Sequence, residues 1–316
     1  MKKVLVTGAT GFIGKALVHK LVEQQFRVIA GVRRLDESQS ALQIELGDLT
    51  SATDLIASLQ QIDVVIHLAA RAHIMHDTAH DPLTEFRKVN TAGTLNLALQ
   101  AAEAGVKRFI FISSIKVNGE MTDTNSPFQV ELTAPPADPY ALSKYEAEHG
   151  LMSLAHSTGM EVVVIRPPLV YGPGVKANFA SMVKWLARGI PLPLGAIHNK
   201  RSLVAMDNLL SFIMLCISHP KAANEIFLIS DREDVSTTQL LQKITQALHK
   251  KTILFPVPVS WMSFVAVLLG KQDVANRLFA SLLIDSSKAS DLLDWEPVIN
   301  MDKQLQKMAD SDTSQP

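Results

Sequence analysis

Three glycines at three-residue spacing constrain this chain more than any other feature: Gly8, Gly11 and Gly14, in Val4-Leu5-Val6-Thr7-Gly8-Ala9-Thr10-Gly11-Phe12-Ile13-Gly14. They follow a short apolar run and open a helical pattern. In a strand–glycine–helix turn, one glycine permits the tight reversal, one lets backbone N–H groups approach a diphosphate, and one packs helix on strand. The helix N-terminus adds partial positive charge. The spacing is GxxGxxG rather than GxGxxG, and a lone glycine pattern is weak evidence; its position between an apolar strand and an amphipathic helix gives it weight. The segment predicts a dinucleotide cradle built from Gly8, Thr10, Gly11, Phe12, Ile13 and Gly14.

The first half of the chain repeats this rhythm. Continuous Val/Ile/Leu runs predict strands at Lys3–Thr7, Arg27–Val32, Val64–Leu68, Arg108–Ser113 and Val162–Arg166, with helices beginning near Phe12, Ala52, Leu83 and Pro139. Such runs suit strands buried on both faces of a parallel sheet. The alternation implies an α/β fold, a Rossmann-like doubly wound parallel sheet with helices on both faces. After Pro167 prolines punctuate shorter elements: helices at Phe179–Arg188, Asn208–Ser218 and Thr237–Leu248, strands at Arg201–Ala205 and Glu225–Ile229. We therefore expect a dinucleotide-binding domain over 1–170, a smaller C-terminal substrate-binding lobe over 171–309 that includes elements returning to the first domain, and a frayed tail over 310–316.

With 316 residues and 47% hydrophobic content the chain can bury a large core, and a net charge of -1 with no dense Lys/Arg run offers no field for nucleic acid. The lone cysteine, Cys216, sits in an apolar stretch and reads as an inert buried thiol; with no disulfide partner, the expected compartment is the cytoplasm. No signal peptide or transmembrane segment is expected. The least polar run, including Trp261 to Leu269, is broken upstream by Pro256 and Pro258. It reads as a buried helix, with contact to a membrane surface or a partner as the alternative.

The residue ending the second strand chooses the cofactor. A carboxylate there would bind the ribose 2′-OH of NAD; this chain has Gly31-Val32-Arg33-Arg34, and arginines suit a 2′-phosphate. NADPH/NADP is therefore the preferred cofactor, with NAD(H) the alternative if Arg33 and Arg34 are solvated surface residues. Asp48 is placed either to accept from the adenine amino group or to cap a helix near Thr50 and Ser51.

Tyr140-Ala141-Leu142-Ser143-Lys144 puts a phenol and an amine four apart, on one helix face. A phenol titrating near pH ~10 is a poor base at neutrality. A neighbouring ammonium lowers that value, so Tyr140 can exchange a proton with a sugar or alcohol oxygen. Ser113 and Ser114 end the preceding strand, where a hydroxyl reaches the same oxygen.

These residues together resemble the extended short-chain dehydrogenase/reductase family, in its nucleotide-sugar epimerase/dehydratase branch. The resemblance spans nearly the whole chain. It rests on the glycine run, Gly47-Asp48-Leu49, His67-Leu68-Ala69-Ala70, Val89-Asn90, Ser113-Ser114, Tyr140 with Lys144, and Arg166-Pro167-Pro168-Leu169-Val170-Tyr171-Gly172-Pro173. It implies catalysis by Ser114, Tyr140 and Lys144, and a cofactor lying along Leu49, Leu68, Ala69, Ala70, Asn90, Ser113 and Pro167. It further implies substrate contacts at Ser114, Asn178, Leu194 and Arg201, although Asn178 also reads as a helix cap and Arg201 as a surface arginine. One departure is Val117-Asn118-Gly119, where most members have Val-Tyr-Gly.

Two segments, Ala70-Arg71-Ala72-His73-Ile74-Met75-His76 and Ile115-Lys116-Val117-Asn118-Gly119-Glu120, are similar to bacterial reductases of UDP-4-keto-6-deoxy-N-acetylhexosamines in surface-polysaccharide (lipopolysaccharide O-antigen) synthesis. The implied step is reduction of the sugar C4 ketone. The alternative is a UDP-hexose 4-epimerase that retains NAD. A 4,6-dehydratase fits less well, since Ile115-Lys116 supplies no carboxylate beside the serine. A non-catalytic NADPH-binding regulator is disfavoured by the intact Ser114, Tyr140 and Lys144. The resemblance also implies a homodimer through helices at Leu83–Ala104 and Pro139–His156. His67, His73, His76 and His80 invite a metal reading, but the chemistry needs none, so no metal is expected. Arg33→Asp is expected to weaken NADPH binding more than NADH binding; fluorescence titration with both cofactors checks this.

Overall fold

A computed structural model describes residues 2–36, 41–71 and 81–313. Among the described residues nine strands form: β1 Lys3–Thr7, β2 Arg27–Val32, β3 Gln43–Glu45, β4 Val64–His67, β5 Arg108–Ile112, β6 Glu161–Arg166, β7 Val170–Tyr171, β8 Val204–Ala205 and β9 Glu225–Leu228. Seven of them make one sheet in the order β3-β2-β1-β4-β5-β6-β9, with every pairing parallel. The expected α/β doubly wound fold is present.

Alternation along the apolar runs explains the two packed faces, because successive strand side chains point to opposite sides. Val4, Val6, Ile66, Ile110, Val163 and Ile165 enter one core. Leu5, Val65, Phe109, Phe111, Val162 and Val164 enter the other. The helices are α1 Phe12–Glu23, α2 Ile56–Leu59, α3 Pro82–Phe86, α4 Thr94–Glu103, α5 Pro139–Thr158, α6 Ala177–Ala187, α7 Met206–Cys216, α8 Thr237–Ala247, α9 Val259–Leu268, α10 Gln272–Phe279, α11 Ser287–Leu293 and α12 Met301–Thr313. Leu17 and Leu21 of α1, with Leu209, Phe212 and Ile213 of α7, cover the first face. Leu97 and Ala101 of α4, with Ala147 and Leu151 of α5, cover the second. A third core joins Phe179 and Val183 of α6, Leu241 and Ile244 of α8, and Leu305 and Met308 of α12. Residues beyond 170 thus contribute to the main sheet as well as to this separate core. Cys216 is buried, and burial raises its thiol pKa well above the ordinary value.

Several expectations need correction. The helix expected near Ala52 starts at Ile56, because hydroxyls of Thr50 and Thr53 close a turn first: Thr53 Oγ1 donates to the Asp48 carbonyl at 2.6 Å and accepts from the Thr50 N–H at 3.1 Å. The helix expected over Leu83–Ala104 is three segments. Asp81 caps α3, accepting from the Thr84 N–H at 3.2 Å, and a π-helical stretch at Arg87–Gly93 precedes α4. Arg201–Ala205 is a strand only at Val204–Ala205; Arg201 instead forms isolated bridges with Val235 and Leu282. The tail expected to fray from 310 continues as α12 to Thr313. The largest correction is α9. Expected to be buried, it contributes no buried side chain: Trp261 is 72% exposed, Phe264 66% and Leu268 69%.

At Gly14 a Cβ would lie 2.1 Å from the Gly8 carbonyl oxygen, so α1 approaches the preceding turn at a distance only glycine allows. Gly14→Ala is expected to destabilise the protein by about 1–3 kcal/mol, the usual cost of overpacking, measured by chemical denaturation.

Candidate active site

Parallel pairing puts the C-terminal ends of β1, β4, β5 and β6 along one edge, and β1 and β4 are neighbours whose connections leave to opposite sides. Ligands of open α/β sheets bind at such a switch point. Gly8 leaves β1 with φ +66, where a Cβ would meet the Ala69 N–H at 2.7 Å. The turn closes with the Gly11 N–H donating to the Gly8 carbonyl at 2.9 Å. Helix α1 starts from Gly11 with no side-chain cap and no acidic residue in its first turn. Its first N–H groups and positive end face the switch point without a carboxylate in competition, which fits a diphosphate. Leu68, Ala69 and the exposed Ala70 form the exit of β4 beside this turn.

At the end of β2, Arg33 Nε lies 3.0 Å from Asp48 Oδ1, and both side chains are exposed. Asp48 caps no helix, since α2 is preceded by Leu55. Arg34 is exposed beside Arg33. Leu49 is buried, and its carbonyl lies against Gly93, where a Cβ would come within 2.4 Å.

His67 is not placed as a metal ligand. Its Nδ1 is 2.6 Å from Thr7 Oγ1 and its Nε2 is 2.9 Å from Thr94 Oγ1. Burial, reinforced by nearby Lys144, drives its pKa down to about 3, so the ring is neutral and ties β1, β4 and α4 together. Among the described residues no group of three His, Cys, Asp or Glu is arranged to hold a metal. His73, His76 and His80 lie outside the described residues.

Asn90 is buried on the π-helical stretch. Its Oδ1 accepts from the Arg71 N–H at 2.8 Å, and its Nδ2 donates to the Arg71 carbonyl and to Ser143 Oγ, both at 3.1 Å. It thereby bridges the exit of β4 to α5.

Asp138 caps α5, accepting from the Ala141 N–H at 2.9 Å, and Pro139 occupies the first turn. This start sets Tyr140 and Lys144 on the face toward β5. Tyr140 lies beside Ser114, whose hydroxyl favours the phenolate, and packs edge-on against Phe86 at 5.7 Å. Burial first, and Asp138 second, raise the Tyr140 pKa to about 12, against the lowering by Ser114, so the phenol is protonated at neutral pH. Lys144 is 2% exposed; its Nζ donates to the Ile112 carbonyl at 3.0 Å and sits 4.4 Å from the Phe111 ring centre. Burial lowers its pKa to about 7, with Glu148 opposing the shift.

The two serines separate cleanly. Ser114 faces Tyr140 and accepts from the Lys116 N–H at 3.2 Å. Ser113 turns inward and donates to Glu148 Oε1. Glu148 was not singled out from sequence. Its cue was present: four residues after Lys144 on the same helix, a carboxylate that the face pattern forces inward. It pairs with buried Arg166, Nη2 to Oε2 at 2.6 Å, and Arg166 Nη1 donates to Asn118 Oδ1 at 3.1 Å. Asn118, the departure from Val-Tyr-Gly, is thus bound into this network; its Nδ2 also donates to the Gln129 carbonyl at 2.6 Å. The Pro167 carbonyl accepts from the Ile115 N–H at 3.0 Å, holding the serine turn against the end of β6.

The predicted substrate contacts lie farther along the chain. Asn178 is in the first turn of α6, and its side chain is outside the described set. The Leu194 carbonyl accepts from Thr238 Oγ1 at 2.6 Å. Arg201 Nη1 donates to the carbonyls of Arg277 at 2.7 Å and Ala280 at 3.2 Å, binding it to the end of α10.

Residues 4–230 match the model of the NAD dependent epimerase/dehydratase family. The chain belongs to this family. A "UDP-glucose 4-epimerase" of Vibrio cholerae is 50% identical over 298 residues, covering 94% of this chain and 91% of the relative. The "GDP-6-deoxy-D-mannose reductase" of Pseudomonas aeruginosa is 33% identical, over 70% of this chain and 72% of its own. Among solved structures, the UDP-glucose 4-epimerase of Thermotoga maritima with UDP-glucose superposes with a TM-score of 0.75 at 26% identity, covering 98% of both chains. As a member of the NAD dependent epimerase/dehydratase family, the chain is an NAD-dependent enzyme, and its glycine turn and uncapped α1 accord with that.

Lys144 yields a pH prediction. Its folded pKa, about 7, lies below its ordinary value of 10.5, so the folded chain binds fewer protons than the unfolded chain between these values. Its effect on stability therefore becomes more favourable as pH rises through that window. Lys144→Met is expected to be more stable than the parent at pH 6, with the gap narrowing towards pH 10; paired thermal unfolding curves check this.

Proposed function

We propose that this chain is a UDP-hexose 4-epimerase. The observation that carries the reading is the placement of Tyr140 beside Ser114 and of a buried Lys144 on the same helix face, at the sheet edge served by the glycine turn. The 50% identical relative bears the same activity in its name. Gly8, Gly11 and Gly14, the start of α1, Leu68, Ala69 and Ala70 would hold the dinucleotide. When bound, it supplies reversible hydride exchange with the sugar C4. Tyr140, protonated in the free protein, would first release its own proton to solvent; as the phenolate it would take the proton of the C4 hydroxyl as C4 is oxidised and return it as C4 is reduced. Ser114 donates to the same oxygen and fixes its position. Lys144 holds the ribose side and lowers the cost of the phenolate. The keto-sugar turns between the two half-reactions, so hydrogen returns to the opposite face and no reductant is consumed.

A second reading is favoured by Arg33 and Arg34 at the end of β2: an NADPH-dependent 4-ketoreductase of a UDP-4-keto-6-deoxy-N-acetylhexosamine for surface-polysaccharide precursors. A 2′-phosphate would compete with Asp48 for Arg33. In this reading Tyr140, protonated at neutral pH, donates its proton once to the new alkoxide. Both readings place Asn178, Leu194 and Arg201 in the lobe that covers the sugar nucleotide, and assembly as a homodimer through α4 and α5 belongs to the same proposal.

Incubation with UDP-glucose and with UDP-N-acetylglucosamine, followed by chromatography, is expected to give the C4 epimers with no net change at 340 nm. NADPH consumption with the 4-keto substrate, and no epimer formed, would select the reductase. In either case Tyr140→Phe is expected to lower kcat roughly 10²–10⁴-fold.

A further inference from the structure

The exposed face of α9 is not an isolated helix surface. Trp261, Phe264, Val265, Leu268 and Leu269 are all exposed on α9 and its end. Upstream, Ile253 and Phe255 are exposed on the segment that leads into α9 through Pro256 and Pro258. That segment is bound to the chain following α6: the Leu192 N–H donates to the Ile253 carbonyl at 3.0 Å, and the Phe255 N–H to the Leu192 carbonyl at 2.8 Å. Thr252 Oγ1 donates to the Leu186 carbonyl at 3.2 Å, bringing the exposed Trp185 at the end of α6 into the same region. Several large apolar side chains thus lie on adjoining, hydrogen-bonded segments, beyond what scattered surface hydrophobics account for.

The charges flanking this patch in the sequence are positive up to Asp273, which follows Lys271 by two residues. Lys184 and Arg188 are exposed at the end of α6, Lys250 and Lys251 before Ile253, and Lys271 immediately after α9. The sequence contains no Asp or Glu from Val235 to Gln272, nor from Val162 to Met206. The chain as a whole carries a net charge of only -1, so the imbalance is local. Helix α9 has no charged face of its own, but its exposed apolar area, with tryptophan and phenylalanine, can enter the headgroup boundary of an anionic bilayer while the flanking lysines meet its charge. Among the described residues no helix is long and apolar enough to cross a membrane.

We propose that α9 and its flanking segments dock this enzyme onto an anionic lipid surface, the apolar side chains entering the headgroup boundary and Lys250, Lys251 and Lys271 meeting lipid phosphates. A second copy of the chain fits this face less well. A two-fold contact is self-complementary, and it would bring two copies of this lysine-rich face together. The proposal stands apart from the reading of the catalytic site, because none of the docking residues belongs to the Ser114–Tyr140–Lys144 group.

Flotation of the full chain with phosphatidylglycerol-containing vesicles and with pure phosphatidylcholine vesicles tests it, alongside light scattering of the free protein. Binding to the anionic vesicles that weakens at high salt is expected. Trp261→Ser combined with Phe264→Ser should lower partitioning on the order of tenfold or more, and Lys250→Glu, Lys251→Glu and Lys271→Glu roughly fivefold per charge. Both variants should keep the parent's unfolding midpoint and its turnover on soluble substrate. Absence of flotation with anionic vesicles would overturn the proposal, as would flotation indifferent to these substitutions or equal on both lipids. A dimer that the Trp261/Phe264 variant dissociates, with no vesicle binding, would assign the face to a second copy instead.

Discussion

Glu148 and Arg166 give up nearly all their hydration on folding, and the arrangement of the reactive edge follows from how that loss is met. Two guanidinium nitrogens engage the carboxylate, Ser113 donates to it as well, and the far side of the guanidinium is taken up by Asn118 and the Val130 carbonyl. One charge pair therefore joins α5, the end of β6, the turn after β5 and the loop leading to α5. A buried pair of this kind adds little net stability over apolar packing, but loss of one partner strands a charge, at a cost of about 3–5 kcal/mol. Its value lies in position. Helix α5 cannot slide or rotate on the sheet without breaking the pair, so Tyr140 and Lys144, two turns and one turn before Glu148, are held in register with Ser114.

The electrostatics of that register are asymmetric. Burial pushes both groups towards their uncharged forms, raising Tyr140 and lowering Lys144. The reactive edge thus stores neither a phenolate nor a firmly held ammonium. Glu148 keeps Lys144 from falling further, while Asp138, which starts the helix, makes phenolate harder to form. The residue that caps α5 and the residue that anchors it pull on the two reactive groups along the same helix, and in both cases the effect favours the protonated form.

Much of this was legible in the chain, for local reasons. Two-sided apolar runs specify central parallel strands, and β1 and β2 occur where the pattern puts them. Gly8 and Gly14 were readable because their roles are steric and confined to one turn. Asp138-Pro139 marks the start of α5 unambiguously. The failures were tertiary. Whether Asp48 caps a helix or meets Arg33 depends on how the end of β3 lies beside β2, which no local pattern encodes. Ser113 and Ser114, which differ locally only in which way each faces, were told apart by the family resemblance and not by local pattern. The composition of α9 suggested burial, yet burial requires an opposing surface, and composition says nothing about whether one exists. Glu148 was overlooked because its partner Arg166 lies on another element.

The position of β9 has a consequence for the chain while it is being made. Strand β6 is flanked on one side by β5, but its other edge waits for β9, about sixty residues later in the sequence. At ribosomal speeds that interval is roughly 3–12 s. During it, the backbone of Glu161–Arg166, whose central Val162–Ile165 run is wholly apolar, presents an unpaired edge of the sort that recruits other chains. Helix α7, which covers the same face, emerges only shortly before β9. The nascent protein thus passes through a period in which its cofactor-binding half is nearly whole yet adhesive, and its yield in a cell depends on how that interval is shielded.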